Sequence, residues 1–260
     1  IAALPGLASW GRVRDWRVGQ IAKLPKVEIF RESRMSAEDV LAAECSVVAL
    51  ATGSRWRADG MGRHHSFPLS GLDRIAVFTP DMIMDGARAL GPVIIYDDDH
   101  YYMGGIIAEK LRRDGLEVTL VTPESMVSSF TQYTLEQTRI QANLIELGVT
   151  LMTSTDLAAL HAGEVELACA YTGRRRRIAA GSVVLVTMQS PEDALYHELT
   201  ARPDALAAAG IRKIERIGDA LAPGIIAAAV YSGHRFAREL DAPTQDGVDF
   251  RRENVELAEL

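Results

Sequence analysis

The stretch Val93-Ile94-Ile95-Tyr96-Asp97-Asp98-Asp99-His100-Tyr101-Tyr102 constrains the fold more than any other part of the chain. An apolar run, a polar turn, a helical pattern from Gly104 to Asp114 and a second apolar run from Glu117 to Val121 spell a strand–helix–strand unit with parallel strands. In such a unit a G-x-G-x-x-G turn lets the backbone approach a pyrophosphate at the helix N-terminus. Here Asp97, Asp99 and Tyr102 stand at the three glycine positions. Carboxylates repel phosphate, and the side chains block its approach. Two other stretches, Val47 to Gly53 and Ile217-Gly218-Asp219-Ala220, read as the closing pieces of a nucleotide site. The pattern is that of a chain which keeps one nucleotide site and has lost a second.

The retained site has a physical rationale. Ala51-Thr52-Gly53 follows a buried-strand run, where small residues and a flexible glycine let the chain pass close beneath a ligand. Ile217-Gly218-Asp219 reads as a short strand ending in an acid that can accept hydrogen bonds from ligand hydroxyls. Pro223 and Gly224 then open a helix running from Ile225 to Leu240. Ala51, Thr52, Gly53, Gly218, Asp219 and Ala220 are therefore the expected cofactor-binding residues. Elsewhere, Thr79-Pro80 predicts a capped helix start, Leu135 to Leu147 a helix, Glu164 to Tyr171 with Arg177 to Ala180 a hairpin, and Val183 to Thr187 a buried strand. This order predicts an α/β fold of two Rossmann-like, glutathione-reductase-type nucleotide-binding domains, the second inserted in the first. Residues 1–88 and 182–240 would form an incomplete FAD- or ADP-binding domain, residues 89–181 a degenerate NAD(P)-binding-like insertion, and residues 241–260 a tail. The chain starts at Ile1 and reads as a fragment lacking the first glycine-rich turn.

Composition narrows the classes. A formal charge of −7 argues against nucleic acid, and no apolar run is long enough to span a membrane. Cys45 and Cys169 are the only cysteines and lack C-x-x-C spacing, so a reducing, cytoplasmic compartment is expected and a cysteine-held cluster within the chain is not. No catalytic or metal-ligating residue is expected. His64-His65 reads as an exposed loop, Asp97-Asp98-Asp99 as a relic of the lost fingerprint, Tyr101 to Met103 as core filling, and Arg174 to Arg177 as a solvated strand edge.

Several motifs together carry a family resemblance. They are Leu4-Pro5-Gly6-Leu7 with Trp10 and Arg14-Asp15, Ala51 to Trp56, Thr79 to Gly86, the turn at 97–102, and Ile217 to Ala220 with Pro223, Gly233-His234-Arg235 and Arg238-Glu239. In these the chain resembles the C-terminal region of the trimethylamine, dimethylamine and histamine dehydrogenase family, part of the Old Yellow Enzyme-like NADH:flavin oxidoreductases. The resemblance implies a flavin-dependent oxidoreductase whose FMN-bearing barrel and 4Fe-4S cluster lie upstream, with ADP or FAD at the retained site. It further implies oxidation of a small secondary or tertiary amine or N-methyl compound, with electrons passed to an electron-transferring flavoprotein. This stretch alone would not be catalytic, and the parent is expected to be a homodimer. The alternatives are an enoate or dienoyl-CoA reductase using a nicotinamide nucleotide, which an intact glycine fingerprint would have supported, and a structural ADP-binding module.

Overall fold

The computed structural model describes residues 1–240; the expected tail at 241–260 lies outside the described residues. The elements begin with α1 (Gly11–Ile21), α2 (Ala37–Ala42), β1 (Val47–Leu50), β2 (Ser54–Trp56), β3 (Ala76–Phe78), α3 (Pro80–Met84), β4 (Val93–Asp97), α4 (Tyr102–Arg113), β5 (Val118–Val121) and α5 (Gln137–Glu146). They continue with β6 (Thr150–Met152), β7 (Thr155–His161), β8 (Glu164–Cys169), β9 (Arg175–Ala179), β10 (Ser182–Val186), β11 (Gln189–Pro191), α6 (Ala194–Thr200), α7 (Pro203–Ala208), β12 (Lys213–Arg216) and α8 (Ile226–Arg238). Two compact units result, one of residues 1–36 and 54–190, the other of residues 37–53 and 191–240. Among the described residues no helix is long and apolar enough to cross a membrane.

The larger unit is built on a five-stranded sheet of order β3-β10-β4-β5-β6, all of whose pairings are parallel. A parallel sheet covered on both faces needs strands that are apolar throughout, and every residue of β4 and β10 is buried. Val93, Ile95, Val184 and Val186 pack with Ile83 of α3, Ile107, Ala108 and Leu111 of α4, and Leu144 of α5. Their neighbours Ile94, Tyr96, Val183 and Leu185 pack instead with Leu157 and Leu160 of β7 and Val165 and Leu167 of β8. The second layer is the three-stranded antiparallel sheet β7-β8-β9. Each buried branched side chain contributes roughly 1.5–3 kcal/mol over an exposed one. Thr79 caps α3, its hydroxyl accepting from Met82 N at 3.3 Å, with Pro80 in the first turn, as the sequence predicts. The smaller unit pairs β1 with β12 in parallel and closes over Ala37, Val40, Leu50, Leu199 and Ile211.

Two Rossmann-like domains are not what the chain forms. Among the described residues there is one five-stranded parallel sheet, and the smaller unit carries a two-stranded one. The expected boundaries at 88/89 and 181/182 move as well, because residues 183–186, assigned from sequence to the β1 domain, lie between β3 and β4. The reason is burial. β10 is apolar on both faces, and only an interior place in a doubly covered sheet satisfies both; β1, with Ala49 exposed, belongs to a sheet covered less completely. The β4–α4–β5 unit and the β8–β9 hairpin match their expected ranges closely.

Helix α4 sits close on β4 at Gly104, where a β-carbon would lie 2.4 Å from Asp97 Cγ. Gly104→Ala should therefore cost about 1–3 kcal/mol through forced displacement. Gly233→Ala on α8, where an added β-carbon meets nothing within 4 Å, should be neutral or gain up to about 1 kcal/mol. Urea unfolding of the two variants checks this, and equal effects would contradict the assigned contact.

Candidate functional site

The six residues expected to bind a cofactor all lie in the smaller unit. Leu50 and Arg216 are register partners at the ends of β1 and β12, and Ile217 N donates to Leu50 O at 2.9 Å. Ala51-Thr52-Gly53 and Gly218-Asp219-Ala220 thus leave adjacent strand ends on the same, carboxyl edge of the pair. Open α/β sheets bind ligands outside that edge. Gly53 and Gly218 both have left-handed φ angles, +83° and +58°. Thr52 Oγ1 donates to the carbonyl of Glu192, and Glu192 N donates to Gly53 O at 2.9 Å. Gly218 N donates to Ser232 Oγ at 2.9 Å, and Asp219 Oδ1 accepts from Gly224 N at 3.2 Å, closing the turn before α8. Ala220 is buried, whereas Ala51 and Thr52 are exposed. The stretch 218–220 is a single 3-10 turn, and the strand before it ends at Arg216.

The larger unit gathers its polar groups at the carboxyl end of β4. Asp98 N and Asp99 N both donate to Val186 O, at 2.8 and 3.1 Å, and His100 N donates to Asp97 Oδ1 at 3.0 Å. Asp97 Oδ2 has no hydrogen-bond partner among the described residues. Burial, with Asp99 nearby, pushes the Asp97 pKa up to about 7. Asp98 is equally buried but differently served: His64 Nδ1 lies 2.6 Å from its Oδ1, and His64 N donates to its Oδ2 at 3.0 Å. Burial alone would raise the Asp98 pKa; His100 and the His64 backbone and imidazole outweigh it and hold the carboxyl below its ordinary value. His100 adopts φ +65°, and its Nε2 stands 3.3 Å from the same oxygen, outside hydrogen-bond geometry.

Beside this cluster Tyr96 Oη donates to Asp156 Oδ1 at 2.5 Å, and His65 Nε2 lies 3.0 Å from that atom. Gly62 makes the approach possible, since a β-carbon there would lie 2.2 Å from Asp98 Oδ2. His64 is therefore the partner of a buried carboxylate, Asp98, and His65 of a half-buried one, Asp156, rather than parts of a bare exposed loop. Asp156 gives no signal in sequence, because a lone acid in an alternating run is unremarkable. Tyr102, expected to fill the core, is only half-buried: its hydroxyl meets Thr134 Oγ1 at 3.0 Å and donates to Glu136.

Comparison with known proteins agrees with the family expected from the sequence. Residues 78–197 match the OYE-like second alpha/beta domain. The chain is 35% identical to dimethylamine dehydrogenase of Hyphomicrobium sp. (strain x), over 97% of this chain and 38% of that protein. Its structure matches histamine dehydrogenase from Rhizobium sp. 4-9 with a TM-score of 0.96 and 45% identity, covering 99% of this chain and 40% of the other. It also matches 6-hydroxypseudooxynicotine amine oxidase from Pseudomonas geniculata N1, with a TM-score of 0.86 and 41% identity over 90% of this chain and 35% of that one. The chain thus spans about two fifths of the length of these relatives. The dehydrogenases among them are, by name, oxidoreductases.

Within the OYE-like domain, Asp97 links stability to pH. Its folded pKa lies above the ordinary carboxylate value, so the folded state binds the extra proton between the two. This contribution is complete below the ordinary value and is lost as pH rises to about 7. Asp97→Asn, which keeps an acceptor for His100 N, should gain in melting temperature relative to the parent between about pH 5 and about pH 8. A difference that does not change across that range would contradict a buried, proton-holding Asp97.

Proposed function

We propose that this chain serves a flavin-dependent amine dehydrogenase that oxidises a small secondary or tertiary amine or N-methyl compound. The observation that carries this reading is the 45% identity to histamine dehydrogenase across 99% of the chain. FMN, the 4Fe-4S cluster and the amine site would be supplied by residues outside this stretch, an electron-transferring flavoprotein would accept the electrons, and the assembly would be a cytoplasmic homodimer. Two features of the 97–102 turn support a protein acceptor over a nicotinamide nucleotide. The backbone N–H groups of Asp98, Asp99 and His100, which a phosphate would need, already donate to Val186 O and Asp97 Oδ1. Asp97 and Asp99 also put side chains on the turn where a pyrophosphate cradle carries none.

We further propose that Ala51, Thr52, Gly53, Gly218, Asp219 and Ala220 hold the ADP moiety of a nucleotide, either ADP itself or FAD. The donor set fits: two glycines in left-handed conformation bring backbone close to a ligand, and Asp219 is half-buried with Oδ1 engaged by Gly224 N. Its second oxygen suits a ribose hydroxyl. A bound flavin would supply electron acceptance, whereas ADP supplies none and holds the turn in place.

In the full-length protein, Asp219→Ala should weaken nucleotide retention by about 1–3 kcal/mol, the range for losing a hydrogen bond to a charged group. Nucleotide released from denatured, purified variant measures this, and unchanged content would count against the site. Anaerobic addition of dimethylamine or histamine should bleach the flavin, and NADH or NADPH should not. Rapid reduction by either nucleotide, saturating at micromolar concentration, would favour the reductase alternative.

A further inference from the structure

We propose that His64, Asp98 and His100 form a binding site for a divalent transition metal of the zinc class. The potential ligand atoms of these residues all lie within 4.8 Å of one another. His64 Nδ1 is 2.6 Å and His100 Nε2 3.3 Å from Asp98 Oδ1. Tetrahedral zinc, with bonds of about 2.0–2.2 Å to nitrogen and oxygen, sets its ligand atoms roughly 3.3–3.5 Å apart. The His100 spacing already meets that, and the His64 contact needs to open by less than an ångström. Two imidazoles and one carboxylate are a borderline donor set that selects zinc-class ions over calcium or magnesium.

Two observations independent of the spacing point to a ligand. His100 is 2% exposed, and its Nε2 faces the carboxylate without a hydrogen bond. Its other nitrogen, Nδ1, is 3.4 Å from Thr122 Oγ1, the kind of outer contact that orients a ligating imidazole. Thr187 Oγ1 is also buried and without a hydrogen-bond partner among the described residues, and a β-carbon at Gly62 would lie 3.1 Å from Thr187 Cβ as well as 2.2 Å from Asp98 Oδ2. An ion needs a way in and a fourth ligand. The His64 side chain is 42% exposed, so the fourth position opens toward water. A metal on His64 Nδ1 needs that nitrogen free of its proton, which the other ring nitrogen, Nε2, can carry. The ion would tie the loop at 62–65 to the end of β4.

The test uses untagged full-length protein, stripped with chelator and titrated with Zn²⁺, and with Co²⁺ as an optical reporter. One equivalent should bind with nitrogen- and oxygen-ligated, tetrahedral Co²⁺ absorption, and affinity should fall at least tenfold in His64→Ala and in His100→Ala. His64 lies at the surface, so its variant keeps the test valid if His100→Ala fails to fold. The parent taking up no ion at micromolar concentration, or His64→Ala binding as tightly as the parent, would overturn the site and leave a plain His–Asp–His hydrogen-bond cluster.

Discussion

Strand β4 is dry on both faces, and much of the larger unit follows from that. Up to Tyr96 the requirement is met by apolar side chains facing the α4 helix layer on one side and the β7–β8 layer on the other. Asp97 and Asp98 then continue the strand into the same dry interior. A carboxyl group there must be neutralised or surrounded by donors. Asp97 takes the first course by holding its proton, with one oxygen on the His100 amide. Asp98 takes the second, with the His64 backbone and imidazole against it. Both courses require close packing. Gly104 and Gly62 supply it, each at a point where even a methyl group would collide with one of these acids.

What was legible in the sequence follows the range of each physical signal. The period of α4, the cap at Thr79 and the turn between β8 and β9 are local, so the residues alone identify them. β7 was missed because a register shift between Leu157 and Ala159 breaks the alternation by which a strand is recognised. The identity of β10 as a buried strand was plain, but an apolar run says only that both faces are covered, not which strands flank it. Its placement beside β4 decides the architecture, and that is where the two-domain expectation failed. The polar cluster was half visible. The His64-His65 pair and the acidic run at 97–99 stand out in the sequence, yet only the tertiary fold brings the loop at 62–65 to the end of β4.

The altered glycine turn also takes on a different meaning. From sequence it is a loss: three positions at which a phosphate cradle no longer works. In the structure the same segment is fully occupied. Its amides bond to β10 and to Asp97, and the helix contact has moved along to Gly104. A single reverse substitution to glycine would therefore not restore a cradle, since the acids now anchor their own surroundings.

The smaller unit has a consequence for how the chain is made. Its sheet joins β1 to β12, and every residue of the larger unit between 54 and 190 leaves the ribosome before β12 does. Closing so long a loop costs entropy that grows only slowly with length, so the finished pair is tolerable. The wait is the harder problem. Val47 to Leu50, an apolar segment, has no β12 to pair with until the larger unit has been translated, and an unpaired strand of this kind invites wrong partners. Its brevity, four residues, limits that exposure.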